Sequence, residues 1–173
     1  NKITFKLSTD PATQCDAVKF VSTTETEVPT ALKFGTATPV KFAGLWKYSD
    51  SKTFDYIASL EVVEGATMTM TNMITATATN PATTAITNNG TVNISGATTL
   101  KLNMTNNGII DIPVGAEFLM NGAELTNNAT SLEVYGKIDN AGSLGVQSNT
   151  NGKINNYGYI TQKNADAYTY VST

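Results

Sequence analysis

The stretch LEVVEGATMTM (residues 60–70) aligns without gaps on IDIPVGAEFLM (residues 110–120), and this pair decides how the chain is read. Both run apolar, polar, apolar, then pass through Gly-Ala into a second apolar stretch. Gly65-Ala66 matches Gly115-Ala116, and Met70 matches Met120. VNISGATTLKL (residues 92–102) has the same phrase, and LEVYGKI (residues 132–138) is a shorter version with Lys137 in place of the alanine. Period-two alternation marks a strand with one buried face. Val92, Ile94, Leu100 and Leu102 therefore point into a core, while Asn93, Ser95, Lys101 and Asn103 face water.

Corners separate these phrases. Asn88-Asn89-Gly90, Asn106-Asn107-Gly108 and Asn127-Asn128-Ala129 share one pattern, and GKIDNAGSL (from Gly136) and GKINNYGYI (from Gly152) agree at G-K-I-x-N-x-G. Gly and Asn carry the least steric penalty where a backbone turns through φ > 0. The Asn amide also offers a carbonyl oxygen and an NH₂ group, which can run a ladder from coil to coil. Asn-Asn-Gly suits a hairpin too, but a meander of hairpins does not explain the same Gly-Ala phrase at residues 60 and 110. The apolar-x-apolar step recurs at Ile3/Phe5, Val18/Phe20, Val40/Phe42, Leu60/Val62, Ile74/Ala76, Val92/Ile94, Ile110/Ile112, Leu132/Val134 and Leu144/Val146. Its mean spacing of about 18 residues is one solenoid coil. One coil cannot bury its own apolar face, so coils stack.

The expected fold is all-β: a single-stranded right-handed parallel β-helix of roughly eight to nine coils, the hand being that of most parallel crossovers. It forms one domain over residues 1–173. Residues 56–162 carry the clear repeat, and residues 1–55 are less regular, either N-terminal coils or a small separate β unit. The one helix-like piece is residues 49–56, read as an insertion between coils. Pro29, Pro39, Pro81 and Pro113 fall at corners or strand starts, where a missing N–H is tolerated. Neither end shows a capping helix. Open sheet edges are a liability, so the sequence is expected to be part of a longer protein or to be capped by another domain.

Composition narrows the chemistry. The 173 residues include eleven lysines, no arginine, no histidine and one cysteine, with a net charge of −3, 18 asparagines and 29 threonines. Without His or Arg there is no His base, no Ser-His or Cys-His pair, no His metal ligand and no guanidinium clamp. A mildly acidic protein without arginine is a poor nucleic-acid surface, and no apolar run is long enough to span a membrane. Cys15 has no His to activate it and no partner for a disulfide, so it reads as a buried, inert thiol. The four N-x-S/T sequons, at Asn89, Asn93, Asn103 and Asn128, are as many as this composition yields by chance.

The phrases at residues 60–70, 88–102, 106–120 and 136–160 resemble the repeat of bacterial surface β-helix proteins. These include haemagglutinin-like and autotransporter-like adhesins and secreted solenoids of Bacteroides-type bacteria. The resemblance covers about 100 residues well and the first 55 poorly. It implies export, an extracellular or cell-surface location, and adhesion with contact to a glycan or to a host or matrix protein. Carbohydrate-active enzymes, lyases and hydrolases, share this coil, so fold alone does not choose between them. Lyases of this kind use Arg or Lys as base beside calcium-held uronates, and hydrolases use clustered carboxylates. Here Arg is absent. The acids pair as Glu25/Glu27, Asp50/Asp55 and Glu61/Glu64, and a column of Glu61, Asp111 and Glu133 on one outward face reads as a solubilising surface. The strings Thr67/Thr69/Thr71 and Thr75/Thr77/Thr79 read as ordinary strand threonines.

Aromatic residues supply the candidate ligand site. Trp46, Tyr48 and Tyr56 cluster near Asp50 and Asp55 in the least repetitive segment, where a loop could stack on sugar rings or a partner; Trp46 buried beneath that loop is the competing reading. Tyr157, Tyr159, Tyr168 and Tyr170 are expected to cover the last coil. The reading is a non-enzymatic exported adhesion or structural module needing no cofactor or metal; the alternative is a carbohydrate-active β-helix enzyme.

Overall fold

The computed structural model describes residues 17–78, 85–129, 132–147, 154–162 and 168–172. Among them there is no helix. The strands are β1 (Val18–Glu27), β2 (Ala31–Ser49), β3 (Lys52–Val62), β4 (Thr67–Ile74), β5 (Ala76–Ala78), β6 (Ala85–Asn88), β7 (Thr91–Leu100) and β8 (Met104–Asn106). They continue as β9 (Ile109–Ile112), β10 (Glu117–Asn127), β11 (Leu132–Val134), β12 (Lys137–Gln147), β13 (Ile154–Asn156), β14 (Tyr159–Gln162) and β15 (Tyr168–Ser172). Every pairing among them is parallel. The protein is an all-β parallel solenoid.

Each coil follows three stretches of extended backbone that meet at corners, some of them within one continuous strand such as β10, so three faces run the length of the stack. On the first face Val18, Val40, Leu60, Ile86, Met104, Leu125, Leu144 and Thr169 follow one another in register. On the second, Trp46, Met68, Val92 and Ile110 do so, and β11 and β13 extend the stack. On the third, Thr98, Phe118, Ile138 and Ile160 align. Residues from Val18 onward thus stack in the same sheet as the regular repeat. Val92, Ile94, Leu100 and Leu102 are buried, and Asn93, Ser95, Lys101 and Asn103 are partly or fully exposed, as the alternation requires. Full burial of one such aliphatic residue stabilises the fold by about 1.5–3 kcal/mol.

The repeat itself is phased differently from the sequence alignment. Residues 60–62 lie on the first face and residues 67–70 on the second, whereas residues 110–112 lie on the second face and residues 117–120 on the third. The two matching segments sit one corner apart around the coil. At both of these corners the backbone ends a strand, turns, buries an alanine (Ala66 or Ala116) and restarts the alternation. One phrase therefore serves at either of them.

Rungs are also longer and less even than the expected spacing. Ile86 to Met104 takes 18 residues, but Leu60 to Ile86 takes 26. Ile74/Ala76 and Val92/Ile94, read from the sequence as successive coils, lie on different faces of the stack. The described residues make fewer turns than the eight to nine expected. Residues 49–56 are not a helix-like insertion: they are the end of β2, a corner and the start of β3. Alternation between buried Lys52 and Phe54 and exposed Thr53 keeps them in strand form. Asp50 makes the corner with φ 61°, a conformation that Asp tolerates better than most residues. The Ile3/Phe5 step and Cys15 lie outside the described residues.

Corners are closed by amides and missing Cβ atoms. Asn88, Asn106 and Asn127 are fully buried and form the ladder foreseen from the sequence: Asn88 Nδ2 donates to Asn106 Oδ1 (2.7 Å), and Asn106 Nδ2 to Asn127 Oδ1 (2.6 Å). The same amides cap corner backbone, because Asn88 Nδ2 also donates to the Ile109 carbonyl and Asn88 Oδ1 accepts from Gly90 N–H. A Cβ on Gly108 would overlap the Gly90 carbonyl oxygen of the coil above. This glycine provides clearance between coils, a different service from the turn conformation expected of it.

Candidate functional site

The five residues singled out from the sequence are spread around one coil. Trp46 and Tyr48 point inward from the second face and are buried. Trp46 packs edge-on against Phe42 (5.1 Å) and Phe20 (6.1 Å), and its Nε1–H donates to the Ala43 carbonyl (2.8 Å). Tyr48 packs against Phe54, and its hydroxyl donates to the Thr75 carbonyl (2.9 Å). Burial, then the charge of Glu27, push that hydroxyl's pKa well above its ordinary value. Asp50 is exposed at the corner, and Asp55 lies on the third face, 2.7 Å from Lys33 Nζ. Tyr56 turns the next corner at φ 58° and packs partly on the core. No shared surface unites the five.

The acidic column of Glu61, Asp111 and Glu133 does not form. Asp111 pairs in register with Glu133 on the second face, while Glu61 lies on the first between Lys41 and Thr87. Thr67, Thr69 and Thr71 belong to β4 on the second face, and Thr77 to β5 on the third; Thr79 lies outside the described residues. Tyr135 and Tyr157 stack at 5.0 Å with an interplanar angle of 12°. Tyr157 and Tyr159 remain largely exposed instead of covering a coil. The side chains of Tyr168 and Tyr170 lie outside the described residues, although their backbone in β15 pairs with β12. Among the described residues, no three His, Cys, Asp or Glu side chains are grouped to hold a metal ion.

What the structure does assemble is a polar groove along the corner between the first and second faces. Its volume is about 680 Å³, and Lys19, Lys41, Glu61, Glu64, Asn89 and Asn107 line it. Alternation brings these side chains outward: Lys19, Lys41 and Glu61 follow one another on the outer side of the first face. In each Asn-Asn pair the first amide turns inward and the second outward. The outer amides form a second ladder. Asn128 Nδ2 donates to Asn107 Oδ1 (2.9 Å), Asn107 Nδ2 to Asn89 Oδ1 (2.9 Å), and Asn89 Nδ2 to Glu61 Oε1 (2.9 Å).

Lys41 Nζ completes this series at 2.8 Å from Glu61 Oε2. The Lys41 hydrogen bond holds the Glu61 carboxyl below its ordinary value against the opposing effect of partial burial, and Asn89 reinforces it. The groove escaped the sequence reading because Lys19, Glu61 and Asn107 are far apart along the backbone. Its trace was legible, however, as Thr-Asn-Asn at residues 87–89, 105–107 and 126–128. Comparison of the sequence and fold with protein-family models, with curated proteins and with solved structures gives no match in any of the three.

Proposed function

We propose that the protein is a non-enzymatic structural and adhesion module of an exported bacterial protein, held at the cell surface and contacting glycans or a host or matrix protein. One observation carries this reading: four ion pairs join successive coils. Lys33–Asp55, Lys41–Glu61, Lys52–Glu27 and Lys137–Glu117, at 2.7, 2.8, 2.6 and 3.1 Å, each tie one coil to the next. With the buried amide ladder they brace a rod whose length grows with each coil, as a stalk or presenting surface requires. The location rests on the resemblance of the repeat phrases to those of surface β-helix proteins.

The test is retention of the purified protein on an array of glycans and extracellular-matrix proteins, run beside a reducing-end assay on a panel of polysaccharides. Retention on at least one ligand without release of new reducing ends is expected. Catalytic depolymerisation of any polysaccharide would overturn the non-enzymatic reading, and the absence of retention on every ligand would overturn adhesion.

A further inference from the structure

The geometry points to the groove at the first corner as a binding site for a neutral oligosaccharide laid along the solenoid axis. This deepens the adhesive reading and rests on it. An asparagine amide has two N–H donors and two acceptor lone pairs. The outer ladder uses one of each at Asn89 and Asn107. Each rung therefore offers one N–H and one lone pair to the groove, a donor-acceptor pair suited to adjacent sugar hydroxyls. The ladder also fixes the amides in place: Glu61 can only accept, so Asn89 must donate to it, and every amide behind is oriented in turn. Little ordering entropy then remains to be lost on binding.

Charge and spacing narrow the ligand class. Among the described residues two lysines and two glutamates line the groove, so their formal charges cancel and a polyanion gains nothing from them. Strands in adjacent coils lie about 4.8 Å apart, close to the length of one extended pyranose residue. An extended peptide repeats on one side only every two residues, about 6.7 Å, and falls out of step with the rungs. Among the described residues no aromatic ring lines the groove, and Val63 is the one apolar residue lining it. Affinity thus comes from hydrogen bonds accumulated along a run of sugars.

The experiment titrates the intact ¹⁵N-labelled protein with cellohexaose, chitohexaose, mannohexaose and hexagalacturonate, following the side-chain NH₂ signals by NMR. At least one neutral hexasaccharide is expected to shift Asn89 and Asn107 saturably, and hexagalacturonate is not. Asn107→Ala should weaken that binding at least tenfold. Glu64→Gln, at a residue outside the ladder and exposed at the rim, should weaken it severalfold with an unchanged melting curve. Asn93→Ala on the second face should leave it unaltered. Unchanged binding in both groove variants would overturn the site while leaving adhesion elsewhere on the protein intact. Preference for hexagalacturonate, or no shift with any neutral hexasaccharide, would overturn the ligand class, whereas the adhesive reading itself falls only with the array.

Discussion

Asn106 lies directly beneath Asn88 inside the first corner, with Asn88 Nδ2 donating to Asn106 Oδ1 at 2.7 Å and neither side chain reaching solvent. One layer outward the sense reverses: Asn107 donates back to Asn89. Each direction is imposed by a group that can play one role only. The Ile109 carbonyl must accept from Asn88, and the Glu61 carboxylate must accept from Asn89. Two amide series of opposite polarity thus run side by side along the stack.

The inner ladder carries more stability than the outer one. Asn106→Ala removes the acceptor for Asn88 Nδ2 and the donor to Asn127 Oδ1 in a sealed interior, where an unmet polar group is costly. The expected loss is about 2–4 kcal/mol, against less than about 1 kcal/mol for Asn107→Ala, whose site water can fill. Urea unfolding of the two variants measures this, and an equal loss in both would contradict the ladder's interior role.

Gly108→Ala should destabilise by about 1–3 kcal/mol or more, because the new methyl meets the backbone of the coil above, which has little room to shift. Gly65→Ala meets no atom within 4 Å and bears only the strain of φ +77°, about 1 kcal/mol. Thermal melts of both proteins should rank them in that order.

Lys52 and Glu27 make an asymmetric pair. Lys52 is almost fully buried, with side-chain exposure of 4%, whereas Glu27 is 41% exposed. Lys52 Nζ also lies 5.4 Å from the centre of the Tyr48 ring. Glu27→Ala strands a buried ammonium and should cost about 1–3 kcal/mol, less than a fully sealed pair because water reaches the carboxylate side. Lys52→Met should cost under about 1 kcal/mol, since an apolar side chain of similar length suits the pocket. Denaturant titration gives the ranking.

The same pair makes stability pH-dependent. Burial pushes the Glu27 carboxyl up, but the Lys52 and Ser49 hydrogen bonds outweigh it and hold the value below 4.5. A carboxyl depressed in the folded state contributes stability that is present above its unfolded value and lost as pH falls through the folded one. Glu61, held down by Lys41, acts in the same window. Stability should therefore decline as pH drops below about 4.5, and the decline should be shallower in Glu27→Ala. An unchanged slope in that variant would contradict the assignment.

Trp46, the single tryptophan, reports on the core. Its fluorescence should be blue-shifted and resist acrylamide until the first coils unfold, and Trp46→Ala should cost about 3–5 kcal/mol. Ready quenching of the folded protein would place the ring outside the Phe20/Phe42 cluster.

Which of these features could be read in advance follows from the range over which each is set. Period-two alternation is local, so the inward turn of Val92, Ile94 and Leu100 was legible. The Asn-Asn pairs already implied an amide ladder, since two adjacent amides at a corner must divide between the inside and the outside. The candidate site was not legible. Trp46 and Tyr48 look like a ligand platform in sequence because they sit beside two aspartates, but their alternation aims both inward while Asp50 occupies a corner and Asp55 the next face.

Local residue order is enough to make this protein build strands, stack them as a parallel solenoid and close its corners with Asn and Gly. Alternation and small corner residues act over a few positions, and eleven lysines without Arg or His set the chemistry on hand. Packing between coils sets which face each strand joins, places residues 60–70 and 110–120 one corner apart despite their match, and brings Glu61 to Lys41 and Asn89. Coil length varies between 18 and 26 residues. Phase around the axis is therefore settled by how each rung packs on the one before it, and no local periodicity encodes that sum.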